Sequence, residues 1–428
     1  MTTSGHNCLT HILSQHAEMA AHLWLIRDRA VHAPHYDLKD LAGLDGRIEG
    51  HLDGLRVAAG EGLRLCLEQI GPAEPGTLFA AGAVALEQKR ELFEELLAWA
   101  AVDGWLARPL VAALCWQGAR AAEPVIAELL GREEEAARYI GLSAASCLRR
   151  PMDGWIEKGL QDESPLVRAR ALRQVGEYGR VDLWRAIHGA LGDALLTCRY
   201  WAAWSACLLG QQAGVEVLWD TAVRHNLMQE RAVEAISLCL SADAALAWQR
   251  DLVSKQFVRQ ALICARTAPD ARSVPWLFEM MDVPEHARRA GEAFTFLTGL
   301  DLAKQDLELD APAGFEAGPN DDPTDERVAM DPDEDLPWPD PGKLKKSWHK
   351  IGAGFAAGQR YLLGQPLTTE SLGEVLRSGK QRARRVAALA LCRLRPGLFE
   401  TRALAKQQKA VLGVPLCAKL SDSPTQHV

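Results

Sequence analysis

The run SPLVRARALRQVGEYG, Ser164 to Gly179, returns in outline 31 residues later as LTCRYWAAWSACLLG. Arg168 corresponds to Arg199, Ala171 to Ala202, Val175 to Ala206 and Gly179 to Gly210. The shared positions fall at 0, +3, +7 and +11, which is the period of one face of an α-helix. Counting outward from this pair gives openings at Phe79, Arg108, Arg138, Arg168, Arg199, Arg231, Arg259 and Arg288, spaced 28 to 32 residues apart, with a further copy from Arg384. A helical period inside a repeat of about 30 residues fits a stack of helical hairpins and little else.

The residue types have physical reasons. Small side chains at +3 let neighbouring helices approach, larger apolar ones at +7 fill the layer, and the glycine at +11 suits a left-handed cap. Asp162, Glu163, Ser164 and Pro165 read as a helix start, since proline is tolerated in the first turn. The copy with Asp162, Pro165, Val167, Arg168, Ala171 and Gly176 resembles the inner helix of HEAT repeats. The expected fold is therefore all-α, a HEAT-like α-solenoid of about eight to ten helical hairpins. Its curved, concave surface should be lined by the second helices of the hairpins and open to protein partners. Ala171 and Ala202 should be buried between layers.

Four segments follow. Residues 1–75 read as an N-terminal cap of two helices joined through a proline-containing connection. Residues 76–304 form the repeat array. Residues 305–342 hold thirteen acidic side chains, one arginine and seven prolines, a composition that predicts a long acidic loop with no helix or strand. Residues 343–428 return to helix and carry the copy opening at Arg384.

Charge and cysteines narrow the function classes. The net charge of −8 argues against a general nucleic-acid binder, whose affinity comes from cations that displace counterions. Ten scattered cysteines without a CxxC pair fit a reducing, cytoplasmic setting. No run of apolar residues is long enough to span a bilayer, and MTTSGHNCLTHILSQHAEMA has neither the basic flank nor the apolar core of a signal peptide.

Asp331, Asp333 and Asp335 have the D-x-D-x-D spacing of a calcium loop, but an EF-hand would place glycine and glutamate where Leu336 and Gly342 stand. His32 and His35 lack a complementary ligand set, and His6, His11 and His16 spread around a helix. Gly352, Gly354 and Gly358 lack the strand and GK[ST] of a phosphate loop and read as a helix-packing face. No metal, cofactor or catalytic group is expected, and the protein is read as no enzyme. Trp201 and Trp204 should pack between repeats. Trp338, between prolines, either tucks back onto the solenoid or anchors a partner.

The stretches HLDGLRVAAG, RRAGEAFTFLTGLDL, DEDLPWPDPGKLKKSWH and FAAGQRYLLGQPLTTESLGEVLRSGKQRARRVAALAL together resemble a family of uncharacterised bacterial HEAT-repeat proteins. Members often lie near genes for type VI secretion effectors, spikes and adaptors. The resemblance implies a role in interbacterial toxin systems. Together with the acidic charge, the missing active site and the lack of an apolar span, it leads to the expectation of a non-catalytic scaffold for a protein partner, with no nucleic acid and no membrane. The leading expectation is an immunity protein that neutralises a toxin, such as a basic nuclease. The rivals are an adaptor or chaperone that loads the effector onto the spike, and a DNA glycosylase on a HEAT scaffold using a basic patch at Lys380, Arg382, Arg384 and Arg385. In the leading view Asp321, Asp322, Asp325, Glu326, Asp331, Asp333, Glu334 and Asp335 steer the toxin and Trp338 anchors it.

Overall fold

The structure, a computed structural model, describes residues 10–70, 74–102, 106–150, 154–224, 226–319 and 329–413. Three helices, α1 (Thr10–Ala30), α2 (Leu38–Val57) and α3 (Gly60–Glu68), open the chain, one more than the cap was expected to hold. An alternation of inner and outer helices follows. The pairs are α4 (Pro75–Gln88) with α5 (Arg90–Val102), α6 (Ala107–Trp116) with α7 (Ala119–Leu130), and α8 (Glu135–Cys147) with α9 (Trp155–Leu160). Next come α10 (Pro165–Tyr178) with α11 (Trp184–Ala190), α12 (Leu196–Leu208) with α13 (Ala213–Val223), α14 (Gln229–Cys239) with α15 (Ala242–Ser254), and α16 (Val258–Thr267) with α17 (Val274–Met281). The last inner helix is α18 (Pro284–Thr298).

Every even-numbered helix from α4 to α18 packs on the next even-numbered one, so the architecture is an all-α helical repeat, as the periodicity predicts. Each opening residue from Phe79 to Arg288 lies within one of these inner helices. Ala171 and Ala202 are fully buried. Layers are joined by more than apolar contact: Gln174 donates to the Leu142 carbonyl at 2.8 Å, and the Ser205 hydroxyl donates to the Leu172 carbonyl at 2.7 Å. Gly176 is needed where it stands, because a Cβ there would lie 2.6 Å from Ser205 Oγ and 2.8 Å from Ser205 Cα.

The recurring arginine has a structural reason. Arg168 Nη1 donates to the carbonyls of Asp162 and Glu163 at 2.8 and 2.9 Å, and Arg199 Nη1 to those of Asp193 and Ala194 at 2.6 and 3.1 Å. Arg138 repeats the geometry on Arg132 and Glu133 and adds a two-pronged ion pair to Asp162. The side chain reaches back five and six residues to carbonyls of the turn that enters its own helix, groups the helix cannot bond itself.

After α18 the chain forms a two-stranded antiparallel ladder of β1 (Glu308–Leu309) and β2 (Trp338–Pro339), then α19 (Pro341–Ile351). The strands correct the expectation of a strandless acidic loop: Leu307, Leu336 and Pro339 are apolar enough to be buried, so the ends of the loop are pinned together. Gly352 to Gly354 form a 3-10 turn rather than a packed helix face. A second small ladder, β3 (Tyr361–Leu362) and β4 (Gln365–Pro366), leads to the packed pair α20 (Thr369–Ser378) and α21 (Gln381–Leu394), and α22 (Ala405–Leu412) ends the described chain.

These last elements do not extend the stack. α21 packs on α12 and α14, and α22 on α2 and α20. The C-terminal part therefore crosses back over the inner helices, and the inner face that was expected to stand open is covered by the chain itself. Replacing Ala202 by leucine should overpack the α10–α12–α14 layer at a cost of about 1–3 kcal/mol. Calorimetric melting should show a clear fall in midpoint, and an unchanged midpoint would mean that this face of α12 is not a packing face.

Candidate functional site

The acidic segment is clasped to the last two layers by arginines. Asp333 is 4% exposed and takes both terminal nitrogens of Arg259 at 2.8 and 3.0 Å, with Arg289 Nε at 2.8 Å. Arg288 donates to Asp331 Oδ2 at 2.6 Å and to the Asp333 carbonyl at 2.9 Å. Its guanidinium also lies 4.7 Å from the ring centroid of Trp338, which meets Phe315 edge-on at 4.8 Å. Two of the repeat arginines, Arg259 and Arg288, thus bind the acidic segment.

Of the residues expected to meet a partner, Asp331 and Asp333 are engaged within the chain and Trp338 tucks back onto α18. Glu334 and Asp335 are exposed, with Asp335 3.5 Å from His35. Asp321, Asp322, Asp325 and Glu326 lie outside the described residues. The basic cluster near the C-terminus faces inward in the same way. Lys380 meets Asp37, Arg382 meets Glu292, Arg385 meets Glu234, and Arg384 is fully buried with the Leu376 carbonyl 2.7 Å from its Nε. These four cations therefore form no exposed patch of the kind a DNA-binding reading needs.

The second candidate lies under the returning segment. Residues 395–404 are irregular, so their backbone groups need partners from elsewhere. Leu398 N–H donates to the Glu177 carbonyl at 2.7 Å, and the Leu398 carbonyl accepts from Arg149 Nε at 2.9 Å. The carbonyls of Arg402 and Ala403 each accept from Arg27 at 2.9 Å. Ala405 N–H donates to Asp45 Oδ2 at 2.7 Å. Gly179, at φ +67°, has the backbone nitrogen of Gly397 2.5 Å from where its Cβ would be, so only glycine admits the crossing.

Between this segment and the inner helices the charges are dense. Glu177, 1% exposed, is paired with Arg170 at 2.9 Å and Arg173 at 2.8 Å. Glu400 pairs with Arg402 at 2.8 Å. Burial alone would raise the Glu400 carboxyl, but Arg402, then Arg149, holds it down at about 2. Trp201 and Trp204 are buried edge-to-face at 5.5 Å, and Arg173 lies 4.6 Å from the Trp201 centroid. The tryptophans pack as expected, but they also form the wall of a polar interior.

That interior includes a cavity of about 330 Å³ bounded by α1, α6, α8, α10, α14 and Arg402. Arg231 faces it and departs from the repeat rule. It makes no hydrogen bond or ion pair among the described residues and does not hold the turn before α14. The residue three further on is Glu234, a buried carboxylate paired with Arg266 at 2.7 Å, where the pattern asks for a small side chain. Reading the pattern by its first arginine hid this shift; a charged residue at the small position was the available signal.

No protein-family model matches the chain, and no curated protein is similar enough to count as a relative. Among the described residues, no helix is long and apolar enough to cross a membrane.

Asp333→Ala should leave Arg289 buried without its carboxylate. Removing one partner of a buried pair costs about 3–5 kcal/mol, and the lower end is expected because the Arg259 side chain is 36% exposed. Limited proteolysis should then cut between residues 329 and 337 at protease levels that leave the wild type intact. Equal resistance of the two proteins would mean that the arginine clasp does not hold the segment.

Proposed function

We propose that the protein is a non-catalytic scaffold that captures a protein partner, in the leading form an immunity protein that neutralises a type VI secretion toxin in the cytoplasm. The observation that carries this reading is an apolar edge. Leu166, Leu195, Leu196 and Leu227 are 37%, 42%, 65% and 98% exposed. They stand where the chain enters α10, α12 and α14, the same edge of three consecutive layers. Repeated exposure of large apolar side chains in one place marks an interaction surface more often than an accident of folding. The exposed Glu163 adjoins it before α10, and the exposed Glu133 and Glu134 stand at the corresponding entry to α8.

The edge suits the partner chemistry expected of this chain. Leucines dock into an apolar patch, while acids at the rim and the net charge of −8 steer a basic protein toward it. The inner face is the weaker candidate, since the C-terminal segment covers it. The exposed Glu334 and Asp335 can add to the steering field.

Co-expression with the products of neighbouring genes, followed by affinity capture, tests the reading. Recovery of a toxin domain in a one-to-one complex is expected. In surface plasmon resonance, Leu196→Glu and Leu227→Glu should speed dissociation of that complex by at least about tenfold, the effect of losing roughly 1.4 kcal/mol. Undiminished binding by both variants would move the interface elsewhere. Deletion of the gene separates the two roles: loss of self-protection fits immunity, and loss of secretion fits the adaptor.

A further inference from the structure

An acidic protein has gathered a surplus of positive charge at its centre. Guanidinium groups reach the 330 Å³ cavity from α6 (Arg108), α10 (Arg170 and Arg173), α14 (Arg231) and the returning segment (Arg402). Several are balanced: Arg108 by Asp28, Arg170 by Glu177, Arg402 by Glu400. Arg173 is balanced only at Nε, through the Glu177 it shares with Arg170. Its two terminal nitrogens make no hydrogen bond among the described residues. Among the described residues, Arg231 has neither a carboxylate nor a carbonyl partner.

The charges nearest Arg231 are of like sign. Burial, followed by repulsion from Arg173, Arg385 and Arg402, brings Arg231 down to about 9. His32, on the α1 side of the same cavity, is pushed down to about 2 by burial and then by Arg385, Arg402 and Arg231. It stays neutral at any physiological pH and keeps one N–H to donate. Holding the half-buried Arg231 charge among like charges carries a cost. That cost is relieved if an anion completes the set.

We propose that this cavity is a binding site for a small phosphorylated molecule, whose dianionic phosphate sits between Arg173 and Arg231 within reach of His32. Two incompletely paired guanidinium groups match the charge of one phosphate, and their planar forks suit its oxygens better than an ammonium would. The volume lies at the lower end of the range for small-molecule sites, about 300–1,000 Å³, which fits a compact ligand and not a polymer. Trp24 and Tyr139 on the wall offer apolar and ring contacts to the remainder of such a molecule. The site is separate from the leucine edge, so either assignment can fail without the other.

The test uses the full-length protein with three probes at matched ionic strength: inorganic phosphate, pyrophosphate and ATP. Thermal melting should show a saturable rise in midpoint with at least one of them, and titration calorimetry should give a single site. Arg231→Met should melt higher than the wild type without phosphate, because a repelled charge is gone, and should lose the response. Arg231→Lys keeps the charge without the fork and should bind at least about tenfold more weakly. No response of the wild type to any probe would overturn the proposal. So would the same response in the wild type and both variants, or a melting point lowered by Arg231→Met together with wild-type affinity in Arg231→Lys. The ATP arm reads the size of ligand accepted: binding of phosphate and pyrophosphate alone would support the site as one for a bare phosphate group.

Discussion

The Glu177 carboxylate, shared by Arg170 nearly two turns back and Arg173 one turn back along α10, is the interaction around which the interior is arranged. It has almost no contact with water. Burial alone would raise it, yet the two guanidinium groups hold it well below the ordinary range for a glutamate. The backbone carbonyl of the same residue accepts the Leu398 N–H, so the helix that carries the ion pair also seats the returning segment. That segment in turn brings Glu400 and Arg402, a second buried pair. Buried ion pairs of this kind contribute little net stability compared with apolar packing, but losing one partner is severe. They therefore specify where the C-terminal part must lie more than they strengthen the fold.

How much of this was legible in the sequence depends on the range of the interaction. Helix stacking is written locally: Ala171 and Ala202 recur at a helical interval, the arginine five or six residues beyond its turn closes that turn, and Gly179 and Gly299 end their helices in the left-handed region. Each signal sits inside one repeat. The covering of the inner face is different. Its contacts join Arg27 to Arg402, Arg149 to Leu398, and Gln407 to the Cys115 carbonyl, across 249 to 375 residues of chain, through irregular backbone with no period to read. The polar cavity was equally hidden, because Arg108, Arg173 and Arg231 look like ordinary solvent-facing arginines until the fold brings three layers round a common centre.

The acidic segment shows the same division. Its composition correctly marks a departure from the array, but counting carboxylates does not tell which of them are taken. Asp331 and Asp333 lie two residues apart in an unstructured-looking stretch, and both answer arginines on α16 and α18. The exposed character expected of the whole loop is kept at Glu334 and Asp335. Similarly, Lys380, Arg382, Arg384 and Arg385 form a basic cluster in sequence, and their carboxylates, where they have them, come from α2, α14 and α18. Charge patterning in a repeat protein therefore needs its partners assigned before it is read as a surface.

The C-terminal segment belongs to the folded array and closes its inner face. Hydrogen exchange of the intact chain, followed peptide by peptide, tests this most directly, since local and global opening separate in that measurement. Peptides spanning residues 381–404 should be protected as strongly as those of α10 and α12 and should open together with them. Rapid exchange across 395–404, with α10 and α12 still protected, would contradict the account and return the inner helices to the open groove first expected from the repeat.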